Sequence, residues 1–275
     1  MRKSIRKSSM WNSKKLKLAI LVPTKDTVYS SFAYCLTQLV KTTTEAGVET
    51  FLFFDSSTIL LNQRNNLLEQ ARKIDADYVF ITHLHQDHCD LDTLLPIYNS
   101  SGKCIFVSTN EVCNFLKKNG FKDDKLIVIN NDLIILKNNI KVRPIPGAHP
   151  TIEKDEKGCY RYLGFLFEVN EFKLYHSGDT FVHQTIIDIL VQHLPINTVI
   201  LPINEHNYFK EKIGIIGNMG IRDAFQFAEL LRTDQLIPIH WDLFKCNSVY
   251  KEEIILLYNL LKPNFKLNLI ESCKL

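Results

Sequence analysis

The sequence predicts an α/β protein, and three observations support that fold class. Short apolar strands alternate with helical segments over residues 15–80, a pattern that favours parallel strands joined by helical crossovers. A buried-strand pattern at 78–82 leads directly into a cluster of histidines and one aspartate. The length of 275 residues and the hydrophobic content of 45% suit a globular chain with a full core, as one large domain or two small ones.

The amino-terminal elements are predicted from apolar periodicity. Residues 1–14 include five basic side chains and are predicted to form a flexible tail. The next segment, 15–80, is predicted as strand, helix, strand, helix, strand. Their bounds, in order, are 16–22, about 29–44, 50–54, about 60–74 and 78–82. No linker rich in proline or glycine follows, so 15–275 is predicted to be one domain.

Strands and helices alternate again after the histidine cluster. Residues 108–110, Ser-Thr-Asn, are suited to cap a helix that runs to Lys118 and ends at Gly120. Further helices are predicted at about 92–98, 185–192 and 219–231. Strands are predicted at 103–107, 126–129, 133–136, 140–145, 162–169, 172–176, 198–201 and 236–240.

The cluster after residue 82 consists of His83, His85, Asp87 and His88. In an extended chain the imidazoles of His83 and His85 point to the same side, while Asp87 and His88 fall where the chain turns toward the next helix. Gathering three imidazoles and a carboxylate is costly unless a cation lies between them. The sequence therefore favours a metal site that can bind two adjacent cations over a polar loop rich in histidine.

The spacing His-x-His-x-Asp-His resembles the signature of the metallo-β-lactamase superfamily. Three later segments are similar to the other ligand segments of that family: Pro-Gly-Ala-His ending at His149, Ser-Gly-Asp-Thr containing Asp179, and Ile-Pro-Ile-His ending at His240. The resemblance implies an αββα sandwich and two divalent metal ions, zinc or manganese. It implies that His83, His85 and His149 bind one ion, that Asp87, His88 and His240 bind the other, and that Asp179 bridges them. Asp87 is the predicted catalytic residue, which orients a water or accepts its proton.

Residues from about 81 to 275 also resemble the ascorbate-6-phosphate lactonase subgroup. The resemblance depends on Arg-Tyr-Leu-Gly from Arg161, Leu-Pro-Ile-Asn ending at Asn204, the Gly-Asn-Met around Asn218, and His-Trp-Asp from His240. It implies hydrolysis of a phosphorylated sugar lactone, usually with manganese. The subgroup commonly has Asn-Gly-Arg where this chain has Asn-Glu-His. The missing arginine could remove a contact with an anionic group, so the sequence leaves open whether the substrate is phosphorylated.

Four residues are predicted to contact the substrate: Arg161, Tyr162, Asn204 and Asn218. A purely structural Arg-Tyr pair on a strand is an equal alternative for the first two. Asn218 precedes Asp223 at a predicted helix start, where capping of the helix is an equal alternative. Thr82, His176 and Asp242 are candidates for orienting the metal ligands.

The first 80 residues are atypical for this hydrolase family. Residues 19–28, 62–68 and 76–79 resemble the first third of family-2-like glycosyltransferases. In those enzymes the strand leads to an Asp-x-Asp metal site, but here it leads to Thr-His-Leu-His. The sequence therefore predicts a Rossmann-like β-α-β-α-β portion joined to a hydrolase domain within one strand.

Charge, hydropathy and cysteine content narrow the classes of protein to which this chain can belong. A net charge of +3 does not indicate nucleic acid as the main partner, and no apolar run approaches the ~20 residues of a membrane span. Seven cysteines without Cys-x-x-Cys spacing suit reduced thiols, and we expect a cytoplasmic protein. The sequence does not determine the oligomeric state, and a homo-oligomer is possible.

The sequence thus predicts a metal-dependent hydrolase that acts on a small-molecule lactone or ester. Two alternatives stay open: a glycosyltransferase-derived protein, and a regulatory metal-binding protein without hydrolytic turnover.

Overall fold

The computed structural model describes residues 16–21, 48–53, 76–242 and 245–269. The predicted basic tail and the helices predicted at about 29–44 and 60–74 lie outside these residues. None of the described helices is long and apolar enough to cross a membrane.

The first sheet contains five described strands in the order β2-β1-β3-β4-β5. They are β1 (Leu16–Leu21), β2 (Val48–Phe53), β3 (Tyr78–Ile81), β4 (Ile105–Ser108) and β5 (Leu126–Val128). Every neighbouring pair is parallel. The parallel pairing predicted for the amino-terminal strands is therefore confirmed.

The second sheet contains seven described strands in the order β12-β11-β10-β9-β8-β7-β6. They are β6 (Ile134–Ile135), β7 (Lys141–Pro146), β8 (Leu163–Val169), β9 (Phe172–His176), β10 (Thr198–Pro202), β11 (Gln235–Ile239) and β12 (Lys266–Leu267). The run from β6 to β9 is antiparallel, and the run from β9 to β12 is parallel. The carboxyl ends of β9, β10 and β11 therefore meet at one edge of the sheet.

Six described α-helices follow β3. They are α1 (Leu91–Ser100), α2 (Asn110–Lys118), α3 (Gln184–Leu190), α4 (Tyr208–Lys212), α5 (Ile221–Leu230) and α6 (Lys251–Leu261). The predicted cap of α2 is confirmed, because Thr109 Oγ1 accepts a hydrogen bond from Val112 N at 3.3 Å. The sequence missed α4, α6 and the short edge strand β12.

Three apolar cores separate four layers. Between the sheets, Phe80 of β3 packs against Phe165 and Phe167 of β8, with ring centroids 5.1 and 5.0 Å apart. Val79 and Ile81 point to the other face of β3 and pack with residues of α1 and α2. Helices α3, α5 and α6 cover the outer face of the second sheet. This alternation along the strands produces the αββα sandwich that was predicted.

Candidate metal centre

Seven histidine and aspartate side chains converge where strands from both sheets end. His83 to His88 follow β3 of the first sheet. From the second sheet, His149 follows β7, Asp179 follows β9 and His240 follows β11. The chain turns at Asp87 and His88, as predicted: His88 N and Cys89 N both donate hydrogen bonds to His85 O and close the turn. That turn leaves His85 exposed and buries His88.

Asp87, His88, Asp179 and His240 form the tightest group. Each offers one ligand atom, and these four atoms lie within 4.8 Å of one another. His240 Nε2 lies 2.9 Å from Asp179 Oδ1 and 3.1 Å from His88 Nε2. Asp87 Oδ2 is 3.6 Å from His88 Nε2 and 3.8 Å from His240 Nε2. Asp87 is the only one of the four that is not fully buried, so its carboxylate lies on the solvent side.

The other three histidines lie against this group. Ring centroids are 4.6 Å apart for His83 and His85, 5.4 Å for His85 and His149, and 6.1 Å for His83 and His149. Asp179 Oδ1 is 3.3 Å from His88 Nε2, whereas Asp179 Oδ2 is 4.0 Å from His149 Nε2. The two oxygens of Asp179 therefore face different histidine groups.

Two outer side chains hold this arrangement. Thr82 Oγ1 lies 3.0 Å from His83 Nδ1 and 3.1 Å from His88 Nδ1. His176 Nδ1 accepts a hydrogen bond from Gly178 N at 3.0 Å, directly before Asp179. Gly178 has a φ of +62°, and a Cβ built on it would lie 2.9 Å from Thr82 Cβ. Only glycine fits this left-handed turn without displacing Thr82.

The backbone of His240 is also in the left-handed region, with a φ of +62°. A residue other than glycine in this region costs about 1–3 kcal/mol and is found mostly where surrounding structure enforces it. The strained position sits directly after β11 and turns the His240 imidazole toward Asp179 and His88.

Burial controls the charges in the centre. It lowers the pKa of His83 well below the ordinary value, and the neighbouring His88 lowers it further. Burial also lowers the pKa of His149. Burial acts to raise the pKa of Asp179, but the facing imidazoles of His240 and His88 outweigh it and hold that pKa well below its usual range. These shifts favour neutral imidazoles at His83 and His149 and an ionised carboxylate at Asp179.

This donor set fits divalent cations. His83 Nε2 is buried and has no hydrogen-bond partner among the described residues, while its Nδ1 contacts Thr82. In the tautomer whose Nδ1 donates to Thr82 Oγ1, a neutral imidazole offers a lone pair at Nε2 that only a cation or a hydrogen-bond donor can satisfy. The carboxylates and the remaining imidazoles supply the oxygen and nitrogen ligands that zinc and manganese share.

The predicted substrate contacts occupy two places. Arg161 donates to Glu111 Oε2 at 3.0 Å and to Glu153 Oε2 at 2.9 Å, so its guanidinium joins α2 to the loop after His149. Tyr162 is buried, and its ring centroid lies 5.1 to 5.6 Å from those of His83, His85 and His149. The Arg161 contacts support its structural alternative, whereas Tyr162 packs directly on the histidines.

Asn204 and Asn218 meet at the end of β10. Asn218 Nδ2 donates to Asn204 Oδ1 at 3.0 Å, and both side chains are buried. Asn218 Oδ1 is buried without a hydrogen-bond partner among the described residues. Asp223 accepts from Gly220 N at 3.1 Å, which agrees with its capping alternative.

Sequence reasoning missed Lys210 on α4. This lysine is only 8% exposed, and its ammonium donates to the carbonyl oxygens of Asn204 and Glu205. The local signal was the helix cap Asn207, whose Oδ1 accepts from Lys210 N at 3.1 Å. Two histidines without ligand spacing lie elsewhere: His183 caps α3, and His193 Nδ1 lies 3.5 Å from Glu168 Oε1.

Comparisons with known proteins agree with this architecture. The family described as Beta-lactamase superfamily domain matches residues 50–241. A metal-dependent hydrolase of Thermococcus onnurineus is 26% identical over 184 residues, which cover 67% of this chain and 75% of the relative. One of Methanosphaera stadtmanae is 29% identical over 177 residues, which cover 62% of this chain and 68% of the relative.

Solved structures share the fold at low sequence identity. A metallo hydrolase from Ignicoccus hospitalis has a TM-score of 0.57 at 22% identity, with 73% of this chain and 78% of that chain covered. An isothiocyanate hydrolase from Delia radicum gut bacteria has a TM-score of 0.59 at 16% identity, with 80% and 81% covered. The metallo-β-lactamase-like fold is thereby confirmed. The narrower lactonase subgroup and the glycosyltransferase resemblance of residues 15–80 stay predictions.

Proposed function

The chain belongs to the beta-lactamase superfamily of metal-dependent hydrolases, and on that basis we propose that it hydrolyses a lactone or another small ester. The observation that carries this proposal is the position of Asp179. Its Oδ1 faces His88 and His240, and its Oδ2 faces His149. A carboxylate between two groups of imidazoles is suited to bridge two cations and to reduce the repulsion between them.

The proposed ligand sets follow the two sides of Asp179. One cation is assigned to His83, His85 and His149, and the other to Asp87, His88 and His240, with zinc or manganese as the metals. Bound divalent cations supply Lewis acidity and lower the pKa of a bound water. The protein then needs no serine or cysteine nucleophile in this site.

Asp87 is the proposed catalytic residue. Its side chain is 19% exposed, whereas those of His88 and His240 are nearly fully buried. A carboxylate between the buried histidines and solvent can accept a proton from the attacking water and return it to the leaving oxygen. In the overall reaction, the water oxygen bonds to the carbonyl carbon and the acyl C–O bond breaks. One water proton passes to the leaving oxygen, the other is released to solvent, and a carboxylate and an alcohol form.

Tyr162, Asn204 and Asn218 are proposed to contact the substrate. Tyr162 lies against the histidines beside the exposed His85, and the Asn204–Asn218 pair lies at the end of β10, between the strands that lead to Asp179 and His240. The two Arg161 ion pairs favour a supporting position for that residue over direct contact. A phosphate on the lactone is not required by this proposal.

The test combines metal analysis with turnover. Protein stripped with a chelator is reloaded with zinc or manganese, and bound metal is counted by inductively coupled plasma mass spectrometry. Lactones, p-nitrophenyl esters and a phosphodiester are then assayed. We expect lactone or ester turnover only in loaded protein, and a loss of about 100-fold or more in Asp87→Asn, within the range for removing a general base.

A matched control is His193→Ala, which removes a histidine outside the centre and leaves metal content and turnover unchanged. Asp179→Asn is expected to lower the number of bound cations. Metal binding without hydrolysis of any ester class would instead support a regulatory protein, and phosphodiester turnover alone would refute the proposed substrate class.

A further inference from the structure

We propose that an apolar rim beside the metal centre selects esters that carry an extended apolar group. This inference rests on the proposed ester hydrolysis and names the substrate class. The rim consists of Val182, Tyr208, Phe209, Ile213 and Ile216, whose exposed fractions are 38%, 69%, 77%, 63% and 50%. A cluster of large exposed apolar side chains commonly marks a binding surface, whereas such residues scattered singly do not.

The first rim residue, Val182, lies three positions after Asp179, in a loop that contacts the segment before His149. Thr180 is next to Asp179, and its carbonyl oxygen accepts a hydrogen bond from Met219 N at 3.3 Å. Its Oγ1 accepts a hydrogen bond from Ala148 N at 2.9 Å. Phe181 N donates to Ala148 O at 2.8 Å, beside His149. Val182 therefore follows directly on the two residues, Thr180 and Phe181, that join the Asp179 loop to the segment before His149.

A ring contact extends this connection to α4. The ring centroids of Phe181 and His206 are 5.7 Å apart. His206 Nε2 lies 3.9 Å from Glu211 Oε2 on α4, and Tyr208 and Phe209 pack against each other on the same helix at 5.6 Å. The exposed aromatic pair is thus joined to the metal-ligand loop through Phe181 and His206.

The base of the rim is fixed by inward polar contacts. The ammonium of Lys210 is buried and binds the carbonyl oxygens of Asn204 and Glu205. A Cβ built on Gly217 would lie 2.3 Å from Glu205 O, so the two chain segments approach too closely for any side chain at that position. Burying an ammonium is favourable only when it is hydrogen-bonded. The helix that carries Tyr208 and Phe209 is therefore anchored to the segment after β10.

The charges on this segment do not favour a phosphate. Glu205 and Glu211 are exposed anions, and Lys212 is an exposed cation, so the segment has no excess of positive charge. The Arg161 guanidinium is bound by two carboxylates. An uncharged apolar group fits this surface better than a phosphorylated sugar, because its burial against the rim removes apolar area from water.

The main experiment measures chain-length preference. Metal-loaded protein is assayed with p-nitrophenyl acetate, butyrate and hexanoate below their micelle concentrations. We expect kcat/KM to rise about tenfold from acetate to hexanoate, the scale expected for partial burial of four methylene groups. In Tyr208→Ala/Phe209→Ala the increase should fall to about twofold or less, while acetate turnover changes little.

Leu260→Ala is the control, because Leu260 is 67% exposed on α6 and lies outside the rim. That variant should keep the wild-type preference. Binding of hexanoate, measured by isothermal titration calorimetry, gives a second readout and should weaken only in the rim variant.

The outcomes separate this inference from the proposed function. Ester turnover without chain-length preference would overturn the rim and leave hydrolysis intact. Hexanoate binding that depends on the rim, without turnover of any ester, would refute the proposed hydrolysis while retaining an apolar ligand. If sedimentation shows a dimer that the rim variant dissociates, and chain-length preference is unchanged, the surface is an interface between two copies and the inference is wrong.

Discussion

At the scale of single residues, Thr82 couples two histidines of the centre through one hydroxyl. Its Oγ1 lies 3.0 Å from His83 Nδ1 and 3.1 Å from His88 Nδ1. If both Nε2 atoms face cations, both Nδ1 atoms carry hydrogens and donate to the two lone pairs of this hydroxyl. One side chain then fixes the tautomer of a ligand in each proposed set.

Replacing Thr82 by valine should therefore weaken metal binding with little change in shape. We expect Thr82→Val to raise the metal dissociation constant about 10–100-fold, the usual effect of losing such an outer contact. A competition titration with a fluorescent chelator measures this change. Thr82→Ser keeps the hydroxyl and should bind nearly as the wild type does. Equal affinity in the valine variant would show that the hydroxyl does not orient the imidazoles.

The thiols give a second prediction at this scale. Burial raises the pKa of Cys113 to about 12, against a partial opposing effect of a backbone hydrogen bond of Ser108. Because the thiolate is the reactive form, the folded protein should keep Cys113 unmodified by iodoacetamide at pH 8 to 9. Cys246 is exposed and should be alkylated. Peptide mass spectrometry with and without urea compares them, and rapid alkylation of Cys113 in folded protein would contradict the prediction.

Single residues also show what the sequence could reveal about the centre. The local spacing of His83, His85, Asp87 and His88 was sufficient to propose a metal site, because neighbouring residues cannot lie far apart. The exposure of His85 and the contact of Thr82 with His88 depend on the turn closed by His85 O. Spacing alone cannot specify that turn.

At the scale of elements, the turn between β9 and Asp179 depends on Gly178. A Cβ at this position would lie 2.9 Å from Thr82 Cβ and 3.0 Å from Leu163 O, and the φ of +62° is strained for any other residue. We expect Gly178→Ala to lower the free energy of unfolding by about 1–3 kcal/mol, as overpacking does. It should also weaken metal binding, because Thr82 must move.

Thermal and urea unfolding measure the loss of stability in Gly178→Ala. Gly102→Ala is the matched control, because a Cβ built on Gly102 meets no atom within 4 Å. If both variants were equally stable, the close approach of Gly178 to Thr82 would have no energetic consequence.

Elements were predicted well where the periodicity was regular. Strand β9 has its predicted bounds, and α2 has its predicted cap. Helix α4 has only five residues, too few for a helical period to emerge. Helix α6 exposes Ile255, Leu256 and Leu260, so its apolar residues do not lie on one face. Because apolar residues also occupy its exposed positions, the segment lacks the amphipathic periodicity from which a helix is predicted.

At the scale of the whole molecule, the centre joins the two sheets. His83 to His88 follow a strand of the first sheet, while His149, Asp179 and His240 follow strands of the second. Each proposed ligand set contains residues that follow strands of both sheets, so a bound cation would connect the two layers. This arrangement predicts that metal binding stabilises the complete sandwich.

Chelation should consequently lower the melting temperature. A ligand that binds only the folded state stabilises it by about 4 kcal/mol at a free concentration 1,000-fold above its dissociation constant. For a chain of this size we expect a decrease of about 10 °C on metal removal, from a shift of about 2–4 °C per kcal/mol. Differential scanning calorimetry of loaded and stripped protein measures it. Asp179→Asn should show a smaller difference, and a stripped wild type that melts at the same temperature would contradict the prediction.

The sequence predicted the overall architecture better than the packing of individual side chains. Alternating strands and helices indicated the parallel first sheet, and the ligand order indicated the αββα sandwich. The packing of Phe80 between Phe165 and Phe167 could not be predicted, because it depends on how two distant strands face each other. The same limit applies to the rim, whose relation to Asp179 depends on contacts between separate loops.

The distribution of ligands along the chain has a consequence for biosynthesis. His88 and His240 lie 152 positions apart in the sequence, yet their Nε2 atoms are 3.1 Å apart in the folded protein. While β11 is still inside the ribosome exit tunnel, His83 to His88 have already emerged from it. His240, which follows β11, cannot yet contact them. Completion of the proposed cation site must therefore follow translation of β11, and polypeptides that terminate before β11 lack one of its proposed ligands.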